Sequence, residues 1–135
     1  MGFPDIRHCI LCEEARNELG NKLSILGFFG VLPEVQIGFP QGLGPAKLMF
    51  LLVCGAGGGE FSVSATIRNP DGSVLVEGPP YRQVFPENQR TNFMGIGFFA
   101  VTFTVEGNHE FNVSVDSEII YSNSFNVVVS PPTSS

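Results

Sequence analysis

The feature that most constrains the fold is a strict alternation of apolar and polar side chains in residues 61–68. Its apolar positions are Phe61, Val63, Ala65 and Ile67. A period of two residues is typical of a β-strand with one buried face. The turn-forming residues 69–73 follow, and the apolar run Val74–Val76 comes next. We therefore predict a β-hairpin over residues 60–76.

The same period recurs in the last third of the chain. Residues 99–105, 111–115 and 125–129 each alternate apolar with polar or small side chains, and Ile119–Tyr121 adds a short apolar run. Turn residues separate these segments, at 106–108 and near Ser117. The pattern predicts consecutive antiparallel strands joined by tight turns.

The first third of the chain is more apolar. Residues 6–14 and 23–31 are interpreted as two strands, and a helix over 13–19 is the alternative for the segment between them. The continuous apolar run 47–54 indicates a central strand that is covered on both faces. Residues 32–46 and 78–91 are rich in Gly or Pro, so we predict two long loops there.

About eight short strands without regular helices between them predict an all-β fold. The favoured architecture is a two-sheet antiparallel β-sandwich, immunoglobulin-like or C2-like, and a small closed β-barrel is the alternative. The length of 135 residues fits one domain. We predict a single domain over residues 1–130, followed by a flexible C-terminal tail at 131–135.

Composition restricts the partners and the compartment. The net charge is −6, and the two Lys and five Arg are dispersed, so nucleic acid is not expected as a partner. No apolar run reaches the 18 or so residues of a membrane span, so no membrane partner is expected. The start of the chain lacks the pattern of a secretion signal, and three Cys imply no disulfide framework. These features predict a cytoplasmic protein.

Two cysteines, Cys9 and Cys12, form a C-x-x-C next to His8. A metal or redox site would need their thiolates to converge, but residues three apart in a strand lie on opposite faces. Only Cys54 and His109 remain to complete a ligand set. We therefore predict no metal and no cofactor, and we interpret the cysteines as small buried apolar residues.

Other motifs that could carry a catalytic or binding function lack the surrounding residues that such a function needs. The glycine run 55–59 follows a strand, but it lacks the Gly-Lys-Ser/Thr of a phosphate loop and ends at Glu60. No Gly-x-Ser-x-Gly is present, and the neighbouring Glu13 and Glu14 would point to opposite faces of a strand. We expect that the protein is not an enzyme.

The candidate interaction surface comes from the two predicted loops. Its members are Phe39 in the first loop and Tyr81, Arg82, Phe85 and Arg90 in the second. Aromatic and arginine side chains are enriched at the energetic centres of protein interfaces. The alternative is that Phe39 and Phe85 plug the ends of the sandwich.

Four segments in this order resemble an uncharacterised family of short bacterial β-sandwich proteins, a domain of unknown function. They are residues 9–14, 20–29, 67–74 and 106–115. The resemblance implies a β-sandwich and a bacterial origin. It implies no catalytic residues, so it adds nothing to the mechanism.

Two hypotheses for the function follow. The first is a non-enzymatic protein-interaction or assembly module that uses an edge strand or its end loops, self-association included. The second is a small-ligand binder for lipid or sugar. The absence of Trp and the abundance of Phe favour a lipid over a sugar in that case.

Overall fold

A computed structural model describes residues 2–19, 22–39 and 44–129, which form ten β-strands. The predicted tail at 131–135 lies outside the described residues. No helical segment in the described part has the length and apolar character needed to cross a membrane. The strands are β1 (Ile6–Glu18), β2 (Lys22–Val31), β3 (Gln36–Phe39), β4 (Ala46–Cys54), β5 (Gly59–Arg68), β6 (Val74–Glu77), β7 (Tyr81–Phe85), β8 (Asn92–Val101), β9 (Gly107–Val115) and β10 (Glu118–Val129).

The strands form two sheets that pack face to face. One sheet has four strands in the order β2-β1-β4-β8, and all of its pairs are antiparallel. The other has the order β3-β10-β9-β5, with β6 and β7 placed one after the other along the free side of β5. The predicted two-sheet sandwich is confirmed and the closed barrel is wrong, because within the described residues the two sheets share no strand. One pair departs from the antiparallel pattern, because β3 runs parallel to β10.

Phenyl rings from both sheets form the centre of the core. Phe50 of β4 stacks on Phe111 of β9 with ring centroids 3.8 Å apart, and Phe125 of β10 lies 5.7 Å from Phe50. All three side chains are fully buried. Aromatic pairs stabilise a core beyond their buried area, by about 0.5–1.5 kcal/mol each. The abundance of Phe in the sequence therefore has a structural purpose at the contact between the sheets.

The strongest periodic signals gave the right elements. The hairpin over 60–76 is confirmed as β5 and β6, and Asp116 and Ser117 form the tight turn between β9 and β10. The φ angles of these two residues, 50° and 73°, suit the turn that matches the twist of a hairpin. The alternative helix over 13–19 is wrong: β1 continues to Glu18, and the register pairs it with β2 through that residue.

Three predictions on the strands and loops are corrected. β3 and β7 lie inside the segments predicted as loops, which raises the number of strands from about eight to ten. The strand predicted at 99–105 instead runs from Asn92 to Val101 as β8. Gly95 and Gly97 occupy outward positions of β8, so the first half of this strand shows no alternation of side chains. The segments 119–121 and 125–129 belong to one continuous strand, β10.

Candidate interaction edge

The described residues leave four sheet edges, and three of them are poorly suited to bind another strand. An open edge exposes unpaired backbone N–H and C=O groups, which invite pairing unless they are blocked. β3 has only four residues. The edge formed by β6 and β7 is interrupted at Pro79 and Pro80, which have no N–H to donate. These two edges belong to the six-stranded sheet.

The third unsuitable edge is β2, because its backbone is irregular. Its pairing with β1 slips in register at a bulge between Leu11 and Cys12. Gly27 and Gly30 have φ angles of 64° and 147°, which are far from those of a regular strand. A strand with this path does not present an evenly spaced row of hydrogen-bonding groups.

The fourth edge, β8, is long and regular and carries no charge. Its ten residues include no Lys, Arg, Asp, Glu or Pro. It pairs with β4 without a shift from Asn92 to Phe98, and its one positive φ falls at Ala100. Gly95 and Gly97 are exposed, so the backbone is accessible between them. In the described chain, the backbone of residues 93–99 makes hydrogen bonds to β4 and to no other segment.

Two exposed phenyl rings flank the glycines on the outer face of β8. The exposed fraction of the side chain is 49% for Phe93 and 73% for Phe99. The Lys47 ammonium lies 5.6 Å from the centroid of the Phe99 ring, and Glu14 lies 3.9 Å from the same ammonium. The same carboxylate also accepts a hydrogen bond from Arg16 Nη2 over 3.0 Å. The charged side chains near this edge therefore lie on β1 and β4, and β8 itself is uncharged and apolar.

A groove of about 350 Å³ lies along the inner side of β8. Ala65, Pro79, Pro80, Tyr81 and Phe98 contribute to its walls. Burial raises the pKa of the Tyr81 phenol to about 12, so this group is a neutral hydrogen-bonding group at physiological pH. The groove offers an apolar recess beside the free backbone of the edge.

Of the residues predicted as an interaction surface, Tyr81 lines the groove along β8, and Phe85 lines a second depression that reaches Asn92 and Phe93 at the start of β8. Arg82 is on β7 and binds Glu60 of β5, with Nη2 donating to Oε2 over 2.7 Å. Arg82 is therefore engaged in an ion pair. Arg90 is exposed in the connection between β7 and β8.

The two phenylalanines of that prediction have packing roles. Phe85 is only 3% exposed and makes edge-to-face contacts with Phe3, at 5.2 Å between centroids, and a looser contact with Phe61. Phe39 is half-buried on β3 and lies 5.9 Å from Phe103. Both fit the alternative, a plug at the end of the sandwich. Because β3 and β7 lie at opposite edges of their sheet, the five residues do not form one surface.

Sequence reasoning missed β8 as the candidate edge. The signal that could have found it is ten consecutive residues without a charge or proline, containing two glycines two positions apart. The predicted boundary at Phe99 divided this segment between a loop and a strand.

The cysteines are held as protonated thiols. Cys9 lies in the core and Cys12 is buried on the outer face of the same sheet, where its thiol donates to the backbone oxygen of Met49. Burial raises the pKa of Cys9 to about 12 and that of Cys54 to about 11. No group of three or more metal-binding side chains occurs among residues 2–19, 22–39 and 44–129.

His109 is a fully buried histidine between aromatic rings. Its Nδ1 lies 3.0 Å from the Gly107 carbonyl, and its ring lies 4.9 Å from that of Phe103 and 5.9 Å from that of Phe125. Burial lowers the pKa of the imidazole, which favours the neutral form. Nε2 has no hydrogen-bond partner in the described part of the chain.

Within the described residues, the fold is an open two-sheet β-sandwich with one unprotected edge strand. The chain belongs to a family of unknown function, DUF6941, whose model matches residues 7–128. This confirms the resemblance to an uncharacterised family. No curated protein matches the chain.

Two solved structures are similar to this chain. One is an immunoglobulin-like protein from Pseudomonas aeruginosa, with 14% identity and a TM-score of 0.44, covering 94% of this chain and 98% of that one. The other is the alkylpurine DNA glycosylase AlkC from Pseudomonas fluorescens, bound to DNA, with 16% identity and a TM-score of 0.41. That match covers 70% of this chain and 28% of the glycosylase.

Proposed function

We propose that the protein is a non-enzymatic interaction or assembly module of the bacterial cytoplasm that binds an extended polypeptide segment along β8. The observation that supports this is the contrast among the four described edges. β8 alone combines ten residues, no charge, no proline and a regular register. A partner strand would satisfy the backbone groups that β8 leaves free.

Binding by strand addition divides affinity and specificity between different groups. Main-chain hydrogen bonds, each worth about 0.5–1.5 kcal/mol net, would supply much of the affinity. On the inner side, alternate side chains of the added strand would reach the groove beside Tyr81 and Phe98. On the outer side, Phe93 and Phe99 would cover apolar side chains of the partner. The expected partner is therefore an uncharged, apolar segment in an extended conformation.

Selection from a random library of linear peptides on the immobilised protein tests this function. The enriched peptides are then titrated against the wild type, Phe99→Ala and Phe28→Ala. The two variants are matched, because each truncates an exposed Phe on an edge of the same sheet. We expect Phe99→Ala to weaken binding by about tenfold, as for a central interface residue, and Phe28→Ala to leave it unchanged.

Two results would overturn the proposal. One is the absence of any enriched peptide, on protein that is monomeric under the selection conditions, from a library that yields binders to a known strand-adding domain. The other is binding that depends on Phe28 and not on Phe99, which would move the site to β2.

A second candidate is the binding of a small apolar ligand in the groove. Its volume of about 350 Å³ falls within the usual range of ligand sites, and Pro79, Pro80 and Phe98 give it apolar walls. Titration with a fluorescent fatty acid separates the two functions. For this candidate, Tyr81→Ala would weaken binding while Phe99→Ala would not.

A further inference from the structure

The side chains of β8 are arranged symmetrically about Ile96. On the outer face, Phe93 and Phe99 lie three positions to either side of it, and Gly95 and Gly97 lie next to it. On the inner face, Met94 and Phe98 lie two positions away and are both buried. The order Phe, apolar, Gly, Ile, Gly, apolar, Phe therefore has the same character in both directions.

Such a sequence is complementary to itself in an antiparallel pair. When two copies of β8 pair about a two-fold axis at Ile96, Phe93 lies opposite the partner's Phe99, and Gly95 lies opposite the partner's Gly97. Directly opposed side chains are the closest neighbours across a strand pair. A two-fold interface of this kind uses the same patch on both subunits and closes at the dimer.

We propose that the occupant of the β8 edge is a second copy of this chain, paired antiparallel about Ile96. This inference rests on the proposed function, because it names the partner of the same edge. The pairing joins two four-stranded sheets into one continuous sheet. The register holds from Phe93 to Phe99, and the positive φ of Ala100 marks its end.

The charges at the edge are compatible with this partner. The chain has a net charge of −6, so most surfaces of two copies repel each other. β8 has no charged residue, and Lys47 beside Phe99 has Glu14 3.9 Å away. The directly opposed side chains of a β8 pair are therefore all uncharged.

The rings supply part of the area that such a dimer needs. With about 200 Å² for a whole Phe side chain, the exposed parts of Phe93 and Phe99 amount to about 250 Å² per subunit, and the dimer buries the fraction that faces the partner. A specific interface needs about 1,000 Å² in total. The backbone edges and the exposed glycines would have to bury the remainder, which a row of seven paired residues can do.

Opposite charges introduced at positions 93 and 99, which face each other in the proposed dimer, test the register. The variants are Phe93→Lys and Phe99→Glu, whose sites are exposed on the outer face. The acidic change is placed at 99 because Lys47 lies beside that ring. Each variant alone should lose at least tenfold in dimer affinity, because both copies of the contact between Phe93 and the partner's Phe99 lose one phenyl ring. An equimolar mixture should regain a heterodimer, because the two new charges are opposed.

Native mass spectrometry with one variant isotope-labelled measures homodimers and heterodimers together. Circular dichroism and thermal unfolding check that both variants are folded. Gly97→Lys is a third variant, at the centre of the interface. Phe28→Glu on β2 is the control, and it should dimerise like the wild type.

Each outcome bears on the inference in a different way. A wild-type dimer that both variants weaken and the mixture restores supports it. A dimer that neither variant weakens, or variants that lose the dimer without forming a heterodimer, overturn it. A monomeric wild type also overturns it. If that monomer binds selected peptides through Phe99, the proposed function stands, and if it does not, the proposed function fails as well.

Discussion

The tripeptide Gly-Phe-Phe occurs on both edges of the four-stranded sheet, with opposite results. In β2, Gly27 has a φ of 64°, Phe28 is 60% exposed and Phe29 packs partly against the core. In β8, the backbone at Gly97 stays regular, and the order is reversed. Phe98 is buried in the core, whereas Phe99 is exposed on the outer face.

The neighbouring strand accounts for this difference. Gly27 lies between two residues paired with Cys12 and Glu14, so it faces Glu13, whose side chain fills the space that a Cβ would take. The bulge at Leu11 and Cys12 then places an extra residue in β2. Gly97 faces Met49 in a regular register. The same tripeptide therefore lies in an irregular edge strand in β2 and in a regular edge strand in β8, depending on the strand with which it pairs.

The largest expected effect that separates the two edges is on stability. Gly27→Ala should lower the free energy of unfolding by about 1–2 kcal/mol, because an L-residue is strained at a positive φ. Gly97→Ala should change it by less than about 1 kcal/mol, since the nearest atom to its Cβ is the flexible Met49 methyl group, 3.1 Å away. Urea unfolding of both variants measures the difference. Equal losses would show that the two backbones are alike.

A smaller effect separates two causes of the stability loss in Gly27→Ala, which are backbone strain and crowding by Glu13. Because Glu13 fills the space beside Gly27, adding Glu13→Ala to Gly27→Ala should recover up to about 1 kcal/mol. The remaining loss reports the strain of the positive φ. A double-mutant cycle by urea unfolding gives both quantities. If Glu13→Ala recovered the whole loss, backbone strain would not explain why β2 is irregular.

The smallest expected effect concerns the cation near Phe99. Lys47→Met should weaken binding at β8 by about two- to fivefold, because the ammonium over the ring helps to hold it in place, by about 0.5–1 kcal/mol at an exposed site. Lys22→Met is the comparison of equal charge. Lys22 lies near Phe93 rather than Phe99, so this change should have a smaller effect. Titration of a selected peptide measures both. An equal effect of the two changes would mean that net charge, rather than the Phe99 contact, matters.

The sequence pattern predicted the strands that have apolar side chains on one face and polar side chains on the other. It did not predict the strands that lack this contrast. Residues 61–68 alternate cleanly because one face of β5 is buried, and that hairpin was found. The first half of β8 was missed because Gly95 and Gly97 leave its outer face without side chains. β3 and β7 are short and lie beside Pro or Gly, so they resembled loops. The parallel pairing of β3 with β10 follows from tertiary packing, which no local pattern encodes.

The candidate site was predicted only in part for a similar reason. Tyr81 was chosen as an aromatic residue in a loop, and it does line the groove beside β8. Phe85 was chosen on the same ground and is buried. Residue type alone does not separate an exposed ring from a buried one, and the open edge is a property of the sheet order.

Hydrogen–deuterium exchange at rising protein concentration tests the central claim most directly. It compares the amides of residues 93–99 with those of residues 23–30 in one experiment. The account predicts that exchange in β8 slows as the concentration rises, or when a selected peptide is added, while exchange in β2 stays constant. Slower exchange in β2 alone, or no change at either edge under both conditions, would contradict it.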